Sequence, residues 1–319
     1  MLVDGPKKAE VSVVVPAYKS KGTIVGCLEA LVSQETDLPY EVIVVESSGD
    51  GAAGIIEERF PEVRLIRSEK RLLSGAARNR GAREASAGVL GFVDADCTVE
   101  DAWLAKMWRA HRERDCTAVG GAVLNGNPEL SVSVSSYLTE FRDFYPVGRT
   151  RHVRYLPTCN ITYKTAVFRK YGGFDPEEPL YVDLMFNTAL SRAGEKLLFV
   201  PDIRATHLHR TSLREYLAHE FGRGRAAVVA RRRGLIVGSS WVRNPALAFL
   251  AAPMLFLCKA AMFPCRFVRA YPWKVATLLR ALPYFYLGLF AWHRGFLREV
   301  LSGREGARTG EEAARCANS

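Results

Sequence analysis

Short runs of β-branched and other apolar residues alternate with helical patterns in the first part of the chain. The runs lie at residues 11–15, 41–45, 63–66, 89–93 and 117–123. Between the first two runs, Ile24, Leu28 and Leu31 follow the spacing of one buried helix face. Strand and helix alternation of this kind predicts a doubly wound, Rossmann-like sheet. Ligands of such sheets bind beyond the carboxyl ends of the strands, so the residues after each run are the candidates for function.

The pattern changes near the end of the chain, where two long apolar stretches appear. Residues 246–264 are apolar except for Lys259, and residues 275–292 are apolar except for Arg280. Each stretch is about as long as the roughly 20 residues that a bilayer core requires. The sequence therefore predicts C-terminal membrane-associated helices, and a buried oligomer interface is the alternative.

Two membrane arrangements fit these stretches. Two full crossings would place Arg266, Arg269 and Lys274 in an external loop, against the tendency of basic residues to stay inside. A membrane-embedded or interfacial helical hairpin avoids that conflict. The basic cluster at residues 231–233 would be attracted to anionic lipid in either arrangement.

Composition and charge narrow the class of protein. The 319 residues are 48% hydrophobic, enough for a sizeable core, and the formal net charge is +10. The arginines cluster beside the apolar end and are not interleaved with stacking aromatics, which argues against nucleic acid as the partner. Residues 1–10 show no secretory signal, and the seven scattered cysteines have no zinc or disulfide spacing. We therefore expect reduced cysteines and a cytosolic catalytic part.

An acidic pair follows the fourth predicted strand. Asp94 and Asp96 are separated by one residue, so their charges repel unless a cation or hydrogen-bond donors neutralise them. Mg²⁺ and Mn²⁺ favour oxygen ligands and keep positions for substrate phosphates. The pair therefore predicts a divalent-metal site that also holds a diphosphate, and a solvated acidic turn is the alternative reading. Arg78, in a Gly-rich segment that opens a helix, offers a fork of donors to a phosphate or a base carbonyl.

These elements together resemble the family 2 glycosyltransferases with the glycosyltransferase A-type (GT-A) fold. The similarity rests on Pro-Ala-Tyr at residues 16–18, an acid after the second strand, Gly-Ala-Ala-Arg-Asn at 75–79 and Asp-Ala-Asp at 94–96. The resemblance implies a mixed doubly wound sheet. It also implies a nucleotide pocket formed by Pro16, Ala17, Tyr18, Glu46, Ser48, Arg78, Asp94 and Ala95. The family more often has Asp where this chain has Glu46.

The resemblance continues to about residue 225. It implies that Asp183 is the general base, although Val182 stands where the family usually has Glu, and a helix-capping Asp is the alternative. It also implies that Asp96 and His207 bind Mn²⁺ or Mg²⁺. His207 and His209 would share one face if both lie on a strand. The predicted contacts to phosphate or acceptor come from four residues: Asn160, His209, Arg223 and Arg225. A cationic membrane-facing surface is the alternative for the two arginines.

The sequence thus predicts an inverting glycosyltransferase at the cytoplasmic face of the cell membrane. It would move a sugar from a nucleotide-diphosphate sugar, with uridine or guanosine as the base, to a hydroxyl of a lipid-linked or glycan acceptor. A polyprenyl-phosphate sugar synthase and a non-catalytic nucleotide-sugar-binding protein are the alternatives, and a homo-oligomer stays open. The expected organisation is a nucleotide-sugar-binding subdomain at residues 1–125, an acceptor-binding subdomain at 126–234, an apolar helical membrane segment at 235–301 and a disordered tail at 302–319.

Overall fold

A computed structural model describes residues 8–236 and 239–302, without the side chains of Ser239 and Ser240. The tail predicted to be disordered lies outside the described residues from position 303 onward. The strands are β1 Val11–Ala17, β2 Tyr40–Glu46, β3 Arg64–Arg67, β4 Val89–Phe92, β5 Cys97–Val99, β6 Ala118–Asn125, β7 Arg151–Val153, β8 Ile161–Lys164 and β9 Leu197–His207.

The helices follow the strands and fill most of the C-terminal part. They are α1 Ile24–Val32, α2 Ala52–Arg59, α3 Ser74–Glu84, α4 Trp103–Glu113, α5 Ser131–Glu140, α6 Thr165–Lys170, α7 Val182–Arg192, α8 Leu213–Arg232, α9 Ser239–Val242, α10 Pro245–Ala270 and α11 Val275–Leu301. Short 3₁₀ turns occupy Thr158–Asn160 and Pro272–Lys274. The three apolar residues predicted for one face of α1 are fully buried.

The strands form the mixed sheet that the sequence analysis predicts. Its order is β3-β2-β1-β4-β8-β6-β9-β5, and β7 pairs with β9. β1 to β4 run parallel, whereas β8 is antiparallel to both β4 and β6. All five predicted runs form strands, and the fifth, β6, belongs to the antiparallel part. Parallel strands put their carboxyl ends at one edge, which is where the candidate residues gather.

The described residues divide into two compact units. The first unit contains the residues up to Leu124, with Gly148–Glu177 and Val182–His207, and it includes the sheet. The second unit contains Asn125–Val147, Glu178–Tyr181 and the described residues from Leu208 onward. The predicted acceptor segment at 126–234 is therefore divided between the two units. Its helix α7 belongs to the first unit, where the start of α3 packs closely on Phe174, Asp175 and Val182: a β-carbon at Gly75 would lie 2.7 Å from the carbonyl oxygen of Asp175.

The second unit is helical and contains both apolar stretches. α10 and the segment Pro272–Leu301 are long and apolar enough to cross a membrane, judged by length and composition. Their buried residues pack with α8 and α9 in one core cluster that includes Val228, Val242 and Phe296. Most of the α10 surface is exposed, with Leu250 and Met254 about two-thirds accessible or more. These helices fit the predicted membrane association of the chain.

Candidate active site

The carboxyl edge of the parallel strands collects the predicted nucleotide residues. The β1–β2 register sets Ala17 beside Glu46, and the β1–β4 register sets Val14 beside Phe92. Asp94 follows β4 by two residues, and the preceding Val93 donates from its backbone N–H to the carbonyl of Val14 at 3.3 Å. The strand-end segments that the sequence analysis singled out therefore meet at the edge expected for a ligand site.

Glu46 holds the loop that follows β2. Its Oε1 accepts from the backbone N–H and the hydroxyl of Ser48, both at 2.6 Å, and from the backbone N–H of Gly49 at 3.0 Å. Gly49 and Gly51 have positive φ angles of 66° and 92°, which is the conformation that glycine adopts without strain. One carboxylate oxygen of Glu46 and the hydroxyl of Ser48 are thus used inside the loop. Their predicted contact with a nucleobase or ribose stays a prediction.

Tyr18 lies under a cationic side chain that the sequence analysis missed. The guanidinium of Arg71 lies 4.5 Å from the centre of the Tyr18 ring, a cation–π geometry. Pro16 is half-buried and Ala17 is buried beside it at the end of β1. The segment before α3 that carries Arg71 has no motif of its own, so only the fold could bring the two side chains together.

Arg78 and Asp94 form an ion pair at this edge, from Nη2 to Oδ1. The Arg78 side chain is 5% exposed, and that of Asp94 is 27% exposed. Burial opposes the charge on Arg78, but the Asp94 carboxylate outweighs it and raises the pKa of the guanidinium. Among the described residues, Arg78 Nε has no hydrogen-bond partner. In this pair the Arg78 guanidinium is charged and fixed in position, and solvent can partly reach the Asp94 carboxylate.

Asp96 faces a different partner, although only Ala95 separates it from Asp94. Cys97 pairs with His207 across β5 and β9, and this register brings Asp96 Oδ1 to 3.5 Å from His207 Nε2. Asp96, Cys97 and His207 each offer a ligand atom within 4.8 Å of the others. Burial raises the pKa of the Cys97 thiol well above its ordinary value, which leaves the carboxylate and the imidazole as the candidate metal donors.

Asp183 lies in the first turn of α7, half-buried. The backbone N–H of Leu184 donates to its Oδ1 at 2.8 Å. Burial raises the pKa of the Asp183 carboxyl, with a further contribution from the charge of Asp94, while the hydrogen bond from Leu184 and the charge of Arg78 oppose the increase. The local hydrogen bond is what the helix-capping alternative expects. Because the charges of Arg78 and Asp94 both act on its carboxyl, Asp183 belongs to the same electrostatic group.

Asn79, the last residue of the Gly-Ala-Ala-Arg-Asn motif, binds the Gly-Gly-Phe segment at residues 172–174. Its Nδ2 donates to the Phe174 carbonyl at 2.6 Å, and its Oδ1 accepts from the Phe174 N–H at 2.9 Å. Gly173 has a φ of +74°, and a β-carbon there would lie 2.6 Å from Asn79 Oδ1. Packing and hydrogen bonds thus hold residues 75–79 beside residues 172–174. The spacing of these segments in the sequence does not predict this contact.

Asn160 takes part in hydrogen bonds inside the core, and its predicted acceptor contact stays a prediction. The residue is fully buried. Its Oδ1 accepts from Trp103 Nε1 at 2.7 Å, and its Nδ2 donates to the Ala122 carbonyl at 2.8 Å. Both ends of this amide are thus hydrogen-bonded inside the core, which gives Asn160 a structural role. The buried partners come from α4 and β6, so the sequence alone gave no sign of this role.

The remaining predicted phosphate or acceptor contacts belong to the second unit. β9 ends at His207, so His209 lies beyond it and the expected shared strand face is wrong. The backbone N–H of His209 donates to Asn127 Oδ1 at 3.0 Å. Arg223 pairs with Glu220 at 2.7 Å, and Arg225 pairs with Glu299 at 2.9 Å. The binding roles of these three residues stay predictions.

Comparisons with known proteins agree with this architecture. "Glycosyltransferase AglE" of Haloferax volcanii is 29% identical over 168 residues, covering 50% of this chain and 48% of the relative. The "Pre-mycofactocin glycosyltransferase" of Mycobacterium tuberculosis is 27% identical over 239 residues, covering 72% and 49%. The chain thus spans about half the length of these relatives.

The fold has a solved counterpart, the "Mannosyltransferase PcManGT from Pyrobaculum calidifontis in complex with GDP-Man and Mn2+". The TM-score is 0.60 at 19% identity, over 94% of this chain and 89% of the other. This similarity establishes the GT-A fold. The family model described as glycosyl transferase family 2 matches residues 12–172, which is half of the chain and includes the segments after β1, β2 and β4. The chain therefore belongs to glycosyl transferase family 2.

Proposed function

We propose that this chain is a metal-dependent, inverting glycosyltransferase. It transfers a sugar from a nucleotide-diphosphate sugar to a hydroxyl of a lipid-linked or glycan acceptor. One observation carries the proposal: the two acids of Asp94-Ala95-Asp96 have separate partners. Asp94 belongs to a charged group with Arg78 and Asp183, and Asp96 lies beside His207. The first group suits the reacting sugar and nucleotide, and the second suits a cation.

The residues present fit a divalent ion. Asp96 supplies a hard carboxylate oxygen and His207 an imidazole nitrogen, and the two atoms are close enough to share one ion. The carboxylate suits Mg²⁺ and Mn²⁺ alike, whereas imidazole is the more usual ligand of transition metals, which favours Mn²⁺. When bound, the ion would neutralise negative charge on the diphosphate of the donor. The solved mannosyltransferase with Mn²⁺ supports this choice.

Arg78 is suited to the nucleotide side of the donor. Its guanidinium is paired with Asp94, and its side chain is buried. Little conformational entropy is therefore lost when it binds a substrate oxygen. The partly exposed Asp94 both fixes this orientation and presents its own carboxylate to a hydroxyl or base. Loss of Asp94 would therefore remove a ligand and leave a buried positive charge unpaired.

Asp183 is suited to the acceptor side. In the transfer, the acceptor oxygen forms a bond to the anomeric carbon while the bond from that carbon to the diphosphate oxygen breaks. The bonding electron pair leaves with the diphosphate, and the acceptor proton moves to the Asp183 carboxylate. A pKa above that of a free aspartate makes the carboxylate a stronger base. Attack opposite the departing group inverts the anomeric centre.

The C-terminal helices support a membrane setting for this chemistry. Apolar α10 and α11 would bring the enzyme to the cytoplasmic face of the membrane, where a lipid-linked acceptor lies within reach. Both relatives named above are glycosyltransferases, and the screen below identifies the sugar, base and acceptor of this chain.

The test combines a donor screen with one matched pair of variants. Purified protein is incubated with UDP- and GDP-sugars and with Mn²⁺, Mg²⁺ or EDTA, and released nucleotide diphosphate is measured with lipid-phosphate and lipid-linked hydroxyl acceptors. We expect turnover with one donor that EDTA abolishes. Asp183→Asn should then lower turnover about 10²- to 10⁴-fold, and Asp202→Asn, an exposed aspartate on β9, should not.

The outcomes separate the alternatives. Normal turnover of Asp183→Asn with a phosphate acceptor would identify a lipid-phosphate sugar synthase, because a phosphate nucleophile needs no strong base. Donor binding without any turnover across the screen would identify a non-catalytic nucleotide-sugar-binding protein. Turnover that EDTA leaves intact would refute the metal site at Asp96 and His207.

A further inference from the structure

The C-terminal hairpin, which comprises α10, α11 and the turn at Pro272–Lys274, has one face packed on its own unit and one face exposed. The buried residues of α11 recur at helical spacing from Leu278 to Val300, almost its whole length. The exposed residues of α10 and α11 include many that are large and apolar: Leu247, Phe249, Leu250, Met254, Leu257, Leu279, Leu287 and Phe290. A helix that crosses a membrane alone would not need such a continuous protein contact.

Backbone-level contact ties α11 to the charged helix α8. A β-carbon at Gly224 would lie 1.9 Å from the carbonyl oxygen of Trp292, and one at Gly295 would lie 2.0 Å from that of Phe221. Charged groups follow the same seam, where Arg225 Nε donates to Glu299 at 2.9 Å. Arg231 and Arg232 lie at the end of α8. α8 therefore needs a polar environment, and α11 is packed along it.

The turn of the hairpin is tied to the same region through α5. The hydroxyls of Tyr137 and Tyr271 are 2.8 Å apart, so α5 contacts the turn. Two residues further along α5, Thr139 donates to Glu220 at 3.0 Å, so α5 also contacts the charged part of α8. A helix rises about 1.5 Å per residue, and a hydrocarbon core is about 30 Å thick. The turn and the Glu220 charge are thus much closer than the two faces of a bilayer.

Further contacts close the turn on the polar part of the second unit. Arg266 pairs with Asp143, and the guanidinium of Arg142 lies 4.2 Å from the ring centre of Phe263. Lys259, the charge inside the α10 apolar stretch, points inward, with its ammonium 3.1 Å from the ring centre of Trp292. The exposed residues of α10 from Ala246 to Cys265 are therefore uncharged. If the hairpin crossed a bilayer, Asp143 or Glu220 would be placed in hydrocarbon, an environment that strongly disfavours carboxylates.

We propose that the second unit binds one leaflet of an anionic membrane in plane, through the exposed face of the C-terminal hairpin, with both ends of the hairpin on the same side of the bilayer. The apolar face would enter the boundary of headgroups and acyl chains. Arg243, Arg269, Lys274, Arg280, Arg294 and Arg298 are exposed along this hairpin and its approach, a charge complementary to anionic headgroups. Exposed Trp273 at the turn is a residue type typical of this boundary.

The first experiment measures sidedness with single cysteines. The background is the full chain with Cys258→Ser, Cys265→Ser and Cys316→Ser, because the cysteines of the first unit are buried. Lys274→Cys probes the turn, and Glu215→Cys on α8 is the reference. A membrane-impermeant maleimide is applied to sealed right-side-out and inverted membrane vesicles. We expect both cysteines to react in the same vesicle type, whether or not the enzyme is active.

Labelling of Lys274→Cys only from the side opposite to Glu215→Cys would overturn the proposal in favour of two crossings. Labelling from neither side until detergent is added would also overturn it, because the turn would then be buried in the membrane.

The second experiment measures partition onto vesicles of phosphatidylcholine with and without phosphatidylglycerol. Leu250→Glu should weaken partition about tenfold or more because it removes a fully inserted leucine. Leu208→Glu changes an exposed leucine outside the hairpin and should leave it unchanged. Equal binding to neutral and anionic vesicles would refute the role of the basic residues. Self-association that Leu250→Glu abolishes, without vesicle binding by the parent protein, would identify an oligomer interface instead.

Discussion

Both units contain arginine–carboxylate pairs, and the two sets differ in how much of the acid solvent reaches. In the first unit, Asp94 is about one-quarter exposed although its partner Arg78 is buried. In the second unit, the Glu220 and Glu299 side chains are almost completely buried beside Arg223 and Arg225. The difference predicts that an arginine serves a ligand where its partner acid remains accessible to solvent. Where the acid is buried, as it is beside Arg223 and Arg225, the ion pair holds helices together.

The two units also use glycine differently. Glycines of the first unit near the site, such as Gly49 and Gly173, supply positive φ angles for loops. Gly224 and Gly295 of the second unit have helical backbones and allow two helices to touch. In the first unit, the conformational freedom of glycine allows the loops near the site to turn. In the second unit, the small size of glycine allows α8 and α11 to pack closely. The following four changes would break or sharpen this contrast.

The largest effect is expected in the first unit, from Asp96→Ala. Removing the carboxylate should lower metal-dependent transfer about 10³-fold, or about 4 kcal/mol of transition-state stabilisation, with little change in melting temperature. Initial rates over a Mn²⁺ titration measure it. Asp101→Ala, an exposed acid five residues away, is the control. Full activity of Asp96→Ala would place the metal elsewhere.

The next effect concerns the seam between α8 and α11. Gly224→Ala should destabilise the second unit by about 3 kcal/mol, because the added methyl meets backbone atoms that cannot rotate away. Gly54→Ala on α2 has open space around the new methyl and should be neutral or stabilising by up to about 1 kcal/mol. Denaturant unfolding followed by tryptophan fluorescence compares them. Equal stability of the two variants would refute the close helix contact.

A smaller effect separates structural from functional polar groups within the first unit. Asn160→Ala leaves Trp103 Nε1 and the Ala122 carbonyl unpaired in the core, so we expect a loss of about 2 kcal/mol in stability. The KM for the acceptor should not change. Thermal unfolding and acceptor titrations measure the two quantities. A raised KM at unchanged stability would support the acceptor role that the sequence suggested.

The smallest effect is the pH dependence of Asp183. Its pKa is raised by burial, and the base acts only when ionised, so activity is lost as the pH falls through that raised pKa. The acid limb of kcat should therefore lie above the pKa of a free aspartate, about 3.9, and fall about tenfold per pH unit below its midpoint. Donor binding measured over the same range separates loss of the base from loss of the metal. A limb at or below the ordinary value would argue against Asp183.

Much of the fold was predictable because its signals are local. β-Branched runs gave the strands, the spacing of Ile24, Leu28 and Leu31 gave a helix face, and hydropathy gave the C-terminal helices. The site was less predictable. Asn79, Asn160 and Arg71 contact residues that are far away in the sequence. No local sequence pattern predicts these contacts. The expectation that His207 and His209 share one face of a strand is wrong because β9 ends at His207.

The sequence by itself determined the order of strands and helices, the family motifs and the presence of two apolar helices of membrane length. The tertiary structure decided which side chains meet: Asp96 with His207 across 111 positions, and the turn of the hairpin with α5. The physical reason is the distance along the chain over which each kind of interaction acts. Propensity and periodicity act between neighbours along the chain, whereas a contact between distant residues depends on strand register and on which helix faces pack.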